Sequence, residues 1–150
     1  MGPGKVKLQL IDCEIDETKN GHYVNGDQEV WLKNGKLHRE DGPALIWNNH
    51  VEEWYYEDVL HREDGPALTF PDGTTMWYKH GSKHREDGPA VIWGDSSCEW
   101  WHDNMEYRFS DWCDAVGLLE EQEAVLIMTY DTSDRYFQKS YVSQINMRKA

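Results

Sequence analysis

The chain is short of cysteine, of bases and of long apolar runs. Its three cysteines, Cys13, Cys98 and Cys113, stand far apart in 150 residues. That odd set offers neither a disulfide framework nor a Cys-x-x-Cys metal pair, and it reads as free thiols in a reducing, cytoplasmic setting. No apolar run nears the roughly 20 residues that cross a bilayer. The start Met1-Gly2-Pro3-Gly4 leads into alternating polar residues and does not read as a signal peptide. Lys and Arg number 15 against 28 Asp and Glu, a formal charge of −13. A chain so acidic is not expected to hold a nucleic-acid backbone or an anionic membrane through its net field. Gly-x-Ser-x-Gly, His-Glu-x-x-His and the P-loop are absent, so the common enzyme signatures they mark are excluded and no cofactor is expected. Apolar residues make up 39%, which leaves little aliphatic core, yet eight Trp and eight Tyr argue against disorder.

What the chain does have is a repeat. His-Arg-Glu-Asp-Gly-Pro-Ala occurs three times, at His38–Ala44, His61–Ala67 and His84–Ala90, with a period of 23 residues. Trp31, Trp54, Trp77 and Trp100 march at the same step. Units 38–60, 61–83 and 84–106 are full, and 15–37 is a worn unit that keeps the Trp and the Asn34-Gly35-Lys36 turn. Each unit reads as two strands and two turns. Pro43–Trp47 and its copies form the first strand. Val51–Tyr56, Thr74–Lys79 and Ser97–His102 carry the second. Pro71-Asp72-Gly73 is the clearest tight turn, and Asn25-Gly26 signals a type I′ hairpin. The fold class predicted is mainly β with a small C-terminal α part (α+β): consecutive antiparallel hairpins in one sheet.

The pattern Trp-Tyr-x-x-Gly-x-x-His, then Gly-Pro-Ala, then Pro-Asp-Gly resembles the MORN repeat over about residues 20–108. It is most similar to the prokaryotic and bacteriophage variant with His-Arg-Glu-Asp-Gly-Pro-Ala turns. The resemblance implies an elongated sheet of hairpins that serves as a scaffold or binding surface, often in small phage or mobile-element proteins. The phospholipid binding linked to some relatives needs a basic surface, which this chain lacks, and it is not carried over.

The repeated His, Arg, Glu and Asp suggest a metal or catalytic site, but spacing speaks against one built along a column. Equivalent residues lie two strands apart, roughly 9–10 Å, too far to share one zinc. His22, His50, His80 and His102 show no ligand spacing either, so no metal site is expected. The structural reading gives each motif residue a turn role. Asp41, Asp64 and Asp87 are expected in Asx-type turns, alongside His38, His61 and His84 at the corner. Gly42, Gly65 and Gly88 are expected where the backbone needs φ > 0. Arg39, Arg62 and Arg85 are expected to reach carboxylates of an adjacent unit.

Alternation places the four Trp on one face and Leu32, Tyr55, Tyr78 and Trp101 on the other. One layer does not bury both, so the flanking segments cover one face or its aromatics form a binding patch. Charge points to the repeats: residues 38–106 hold fifteen acids and five bases, net −10. Those acids either solvate open edges or meet a basic partner. The expected partner surface comprises Tyr55, Tyr78, Trp101, Glu53, Glu57, Glu99 and Asp103. It would engage another protein with a basic surface, as an inhibitor of a host defence or nucleic-acid-processing factor. The alternatives are a self-assembling scaffold and a small metal-dependent enzyme or ligand-binding protein that uses the repeated His, Asp and Arg turns. The first reading is as compatible with a homodimer as with a monomer.

At the ends, Lys5–Ile11 alternates as a capping strand within segment 1–14. Beyond Tyr107, Ser110 or Asp111 is expected to cap a helix that Gly117 ends. Glu120–Tyr130 is expected to form a second, with Ala124, Ile127 and Met128 as an apolar stripe that Leu119 and Leu126 extend. Residues 131–150 are left between a further helix and a packing tail.

Overall fold

A computed structural model describes residues 15–134 and Phe137. The expected capping strand at 5–11, Cys13 and nearly all of the C-terminal tail lie outside the described residues. Strands β1 (Gly21–Asn25), β2 (Gln28–Lys33) and β3 (Lys36–Leu37) form the worn unit. Strands β4 (Leu45–Trp47), β5 (Glu52–Glu53), β6 (Tyr55–Tyr56) and β7 (Val59–Leu60) form the first full one. Its pattern recurs as β8 (Leu68–Thr69), β9 (Thr75–Met76), β10 (Tyr78–Lys79) and β11 (Ser82–Lys83). The last unit holds β12 (Val91–Ile92), β13 (Cys98–His102) and β14 (Met105–Tyr107). Helices α1 (Phe109–Val116) and α2 (Glu120–Thr129) follow. The described residues are therefore mainly antiparallel β, followed by two helices.

The main sheet runs β1-β2-β4-β5-β8-β9-β12-β13-β14, with β3 paired to β2. Every pairing in it is antiparallel and joins neighbours in the repeat, as stacked hairpins must. The second strand of the two middle units does not run through as expected. It breaks at Trp54 and at Trp77, and its second half pairs into a separate two-stranded ribbon, β6–β7 or β10–β11. The ladder to the next motif continues across each break. The Trp54 N–H donates to the Ala67 carbonyl and the Trp77 N–H to that of Ala90, as the Trp31 N–H does to that of Ala44 within the unbroken β2.

Two turns alternate. The ribbon turns hold Glu57-Asp58, His80-Gly81 and Asp103-Asn104, each with φ > 0 at both positions, as a type I′ turn requires. The worn unit does the same at Asn34-Gly35. The other turn closes five-residue loops in which Asn49, Asp72 and Asp95 accept the N–H two residues on. The Asx turns therefore sit here. The motif aspartates take arginine instead, because the guanidinium two residues back is a stronger donor within reach. The first hairpin also differs from expectation. Asn25 pairs with Gln28, so the loop is Gly26-Asp27, and only Gly26 of the two has positive φ.

The core is in two pieces. Val30, Leu32, Leu37, Ala44 and Leu45 bury one, with Ile15, Tyr23, Trp47 and Tyr55 against it. Trp100, Phe109, Trp112, Cys113, Cys98 and Leu126 bury the other. Helix α1 contributes Phe109, Trp112 and Cys113 at helical spacing i, i+3, i+4. Its N-cap is Arg108, two or three residues before the predicted cap, and makes no side-chain bond. Gly117 ends it in the left-handed region at φ 73°, as read from sequence. Helix α2 departs from its predicted stripe. Leu126 is buried, whereas Leu119, Ile127 and Met128 are exposed. Ala124 to Met128 are consecutive apolar residues, which encircle a helix and leave no single face to pack. Cys98 and Cys113 are free and buried, and burial pushes the Cys113 thiol up to about 11.

Candidate functional site

The motif corners are built alike. In each, Arg Nε donates to the Asp two residues on, and Nη1 donates to the Pro carbonyl four residues on. The guanidinium then lies over the Trp ring of the preceding unit. Arg39 covers Trp31 at 4.0 Å, Arg62 covers Trp54 at 3.8 Å, and Arg85 covers Trp77 at 4.0 Å. The arginines therefore do join adjacent units, but through an aromatic face rather than a carboxylate. This also corrects the glycine reading. Gly42, Gly65 and Gly88 are not among the positive-φ residues. A Cβ there would stand 2.5, 2.6 and 2.7 Å from the Arg Cζ, so glycine is required by the passing guanidinium. Each Trp ring is thus covered by the next unit's arginine, without a second layer.

Trp100 has no following motif. Phe109 and Trp112 take the place of the arginine, with ring centroids at 4.7 and 4.8 Å. The Trp112 indole N–H also donates to the Arg85 carbonyl, which ties α1 to the last motif.

The motif histidines lock the ribbon turns. His38 Nδ1 accepts the N–H of Glu57, His61 Nδ1 that of His80, and His84 Nδ1 that of Asp103. An accepting Nδ1 leaves the proton on Nε2, which faces Glu40, Glu63 or Glu86 at 3.5, 3.0 and 3.3 Å. The histidines are nearly buried, whereas the acids beyond them are open to water.

The seven residues expected to meet a partner divide into two groups. Glu53 lies in the core row of the sheet, in register with Leu45 and Leu68. Its carboxylate accepts the Trp47 indole N–H at 2.8 Å and the Tyr55 hydroxyl at 2.7 Å. Glu99 repeats the clamp with Trp93 at 3.0 Å and Trp101 at 2.8 Å. The middle unit has Phe70, Met76 and Tyr78 at these places. The glutamate is thus present where an indole N–H needs an acceptor and absent where Phe replaces Trp, which marks it as structural. Tyr55 and Tyr78 are half-buried, and burial raises both phenols above the usual range. Trp101 lies beneath Lys83 at 4.4 Å. Glu57 and Asp103 are the exposed pair, held at turn tips.

The sequence pattern missed three features. The motif acids form the exposed row: Glu40, Glu63 and Glu86 are 74%, 63% and 69% exposed, and Asp41, Asp64 and Asp87 lie still further out. Between the last two corners they border a groove that Arg62, Trp77, Lys79, His84 and Arg85 also line. Glu106 is the reverse case, 3% exposed on β14. Burial and the neighbouring Glu99 push its carboxyl up to about 7 against a partial pull from Lys83. Finally, two triads, His61-Glu63-His80 and His84-Glu86-His102, bring ligand atoms within 4.8 Å of one another. The column argument overlooked them because each forms inside one unit from non-equivalent positions.

Comparison with known proteins finds no matching family model, no matching curated protein and no matching solved structure.

Proposed function

We propose that the chain is a non-enzymatic binding module of the MORN-like kind that engages a basic surface of another protein. The observation that carries this is the row of three exposed Glu-Asp pairs at 23-residue intervals. The repeat geometry spaces them by roughly 9–10 Å. Each Asp is matched by its own arginine and each Glu leans on a histidine, so the array is rigid rather than a floppy acidic tail. Rigid, regularly placed carboxylates suit a partner that presents lysines or arginines at a similar pitch, as the nucleic-acid track of a protein does. The groove beside Trp77 sets the acids Glu63, Asp64, Glu86 and Asp87 around Arg62, Lys79 and Arg85, so a partner's cations would meet its acidic rim. In that role the chain would occlude a host nucleic-acid-processing or defence factor, as the resemblance to phage-type repeats implies. Glu53 and Glu99, with their indole partners, drop out of the contact set. Glu57 and Asp103 stay in it.

The immobilised chain is challenged with host lysate and eluted by a salt ramp. The expected result is a stoichiometric basic protein that leaves with rising salt and is not retained by the Glu40→Lys/Glu63→Lys/Glu86→Lys variant. A partner insensitive to salt, one held equally by the triple variant, or no salt-released partner at all would refute the proposal.

A further inference from the structure

The two histidine triads look alike, but their chemistry differs at one atom. A neutral imidazole that ligates a metal through Nε2 carries its proton on Nδ1 and donates it to an acceptor. In unit 61–83 the His61 Nδ1 already accepts the His80 N–H at 2.9 Å, and the residue in that place brings no carboxylate. In both units the motif histidine Nδ1 accepts a turn N–H, from His80 at His61 and from Asp103 at His84, so a metal on Nε2 turns a second N–H against it. Unit 61–83 has no carboxylate at the turn to take that proton instead. In unit 84–106 the corresponding residue is Asp103. Its Oδ1 lies 3.0 Å from His84 Nδ1, and its Oδ2 lies 3.6 Å from His102 Nδ1. One carboxylate thus backs both imidazoles on their Nδ1 side. On the other side both Nε2 atoms face Glu86 Oε1, at 3.3 Å from His84 and 4.0 Å from His102. Zinc held at about 2.0–2.1 Å by nitrogen and oxygen sets its tetrahedral ligands about 3.3 Å apart. The first edge is already that long, and the second closes with a small rotation of the exposed Glu86 side chain.

We propose that His84 Nε2, His102 Nε2 and a Glu86 oxygen form a binding site for a divalent transition cation of the zinc class. Asp103 is the positioning residue that takes both Nδ1 protons. The two imidazoles are 10% and 22% exposed while Glu86 is 69% exposed. The ion would therefore sit at the surface with its remaining position open to water or to a donor from a partner. Binding would exchange the Asp103 N–H bond at His84 Nδ1 for one from that nitrogen to the Asp103 carboxylate, and would add a metal link between the β13–β14 turn and the last motif corner. The site is separate from the acid row in its test, because it requires no partner protein.

The test titrates the full chain, freed of metal, with zinc chloride by calorimetry and follows cobalt(II) absorption as a geometric readout. Wild type is expected to take up one equivalent and to give a tetrahedral cobalt spectrum. His102→Gln and Glu86→Gln are each expected to abolish this, with His80→Gln unchanged. Asp103→Asn is expected to weaken binding 10- to 100-fold. Glu86 is exposed, so its variant reports on the site even if His102→Gln disturbs folding. No uptake by wild type, uptake undiminished in Glu86→Gln, or uptake lost in His80→Gln would overturn the assignment.

Discussion

Replacing Glu106 should make the protein more stable, and more so as pH rises. Its carboxyl lies opposite Trp101 in β14, buried, with Glu99 nearby and Lys83 as partial compensation. Folding pushes its pKa from an ordinary 4.5 up to about 7. Between those values the native state binds more protons than the unfolded chain, so stability falls as pH rises through the window. Below the lower value the effect is absent, and above the upper it is complete. A shift of that size corresponds to about 3 kcal/mol as an upper figure. A Gln amide keeps the shape and removes the charge, at about 1 kcal/mol for burying the amide. Glu106→Gln should therefore gain about 1–2 kcal/mol at pH 8 and little at pH 4. For a chain of this size that is roughly 3–6 °C in Tm. The assay is urea unfolding of both proteins across pH 4–8, read by Trp fluorescence. The difference between the two curves isolates residue 106 from the repulsion that the whole acidic chain feels. A constant difference across the range, or a variant less stable at pH 8, would refute the reasoning. Leu37 and Leu60 occupy the equivalent places in two earlier units, with Lys83 in the third. Glu106→Leu should follow the same trend.

Two further outcomes follow from the corners and turns. Gly65→Ala should cost about 1–2 kcal/mol in denaturant unfolding by expelling Arg62 from Trp54, and it should cost little when Arg62→Ala is already present; additive losses would show that the glycine is needed for another reason. Glu57 sits at φ 46° in a type I′ turn where asparagine is preferred. Glu57→Asn should raise Tm by a degree or two, and a fall in Tm would refute the turn assignment.

The period was legible because a seven-residue string is copied without change, and it carried the strand order and the antiparallel pairing with it. The break at Trp54 was not legible, since Val51–Tyr56 has strand propensity throughout. The Trp31 N–H makes the same bond to Ala44 inside the unbroken β2, so nothing local in the sequence marks the division. Gly65 shows a different limit. Positive φ and a crowded Cβ both call for glycine, and the sequence does not say which applies. Arg62 was correctly read as a link between units, but its acid is two residues away and its neighbour contact is an indole. The candidate site was the least legible part. Glu53 and Glu99 looked like surface charges until Trp47 and Trp93 were seen to need them. His84 and His102 meet only because the ribbon turn at Asp103 folds back onto its own motif corner.

The arginine-on-tryptophan step gives the array a direction of growth. Each unit supplies a ring and is finished by the unit that comes after it. Duplicating one 23-residue segment in the middle of the array brings both a new ring and the arginine for the ring before it. Such an insertion is self-sufficient, whatever the starting number of units. The end of the row is different, because the last ring is always left over. Evolution or design can therefore vary the reach of this protein freely between Trp31 and Trp77, provided that the segment carrying Phe109 and Trp112 stays attached to the final copy.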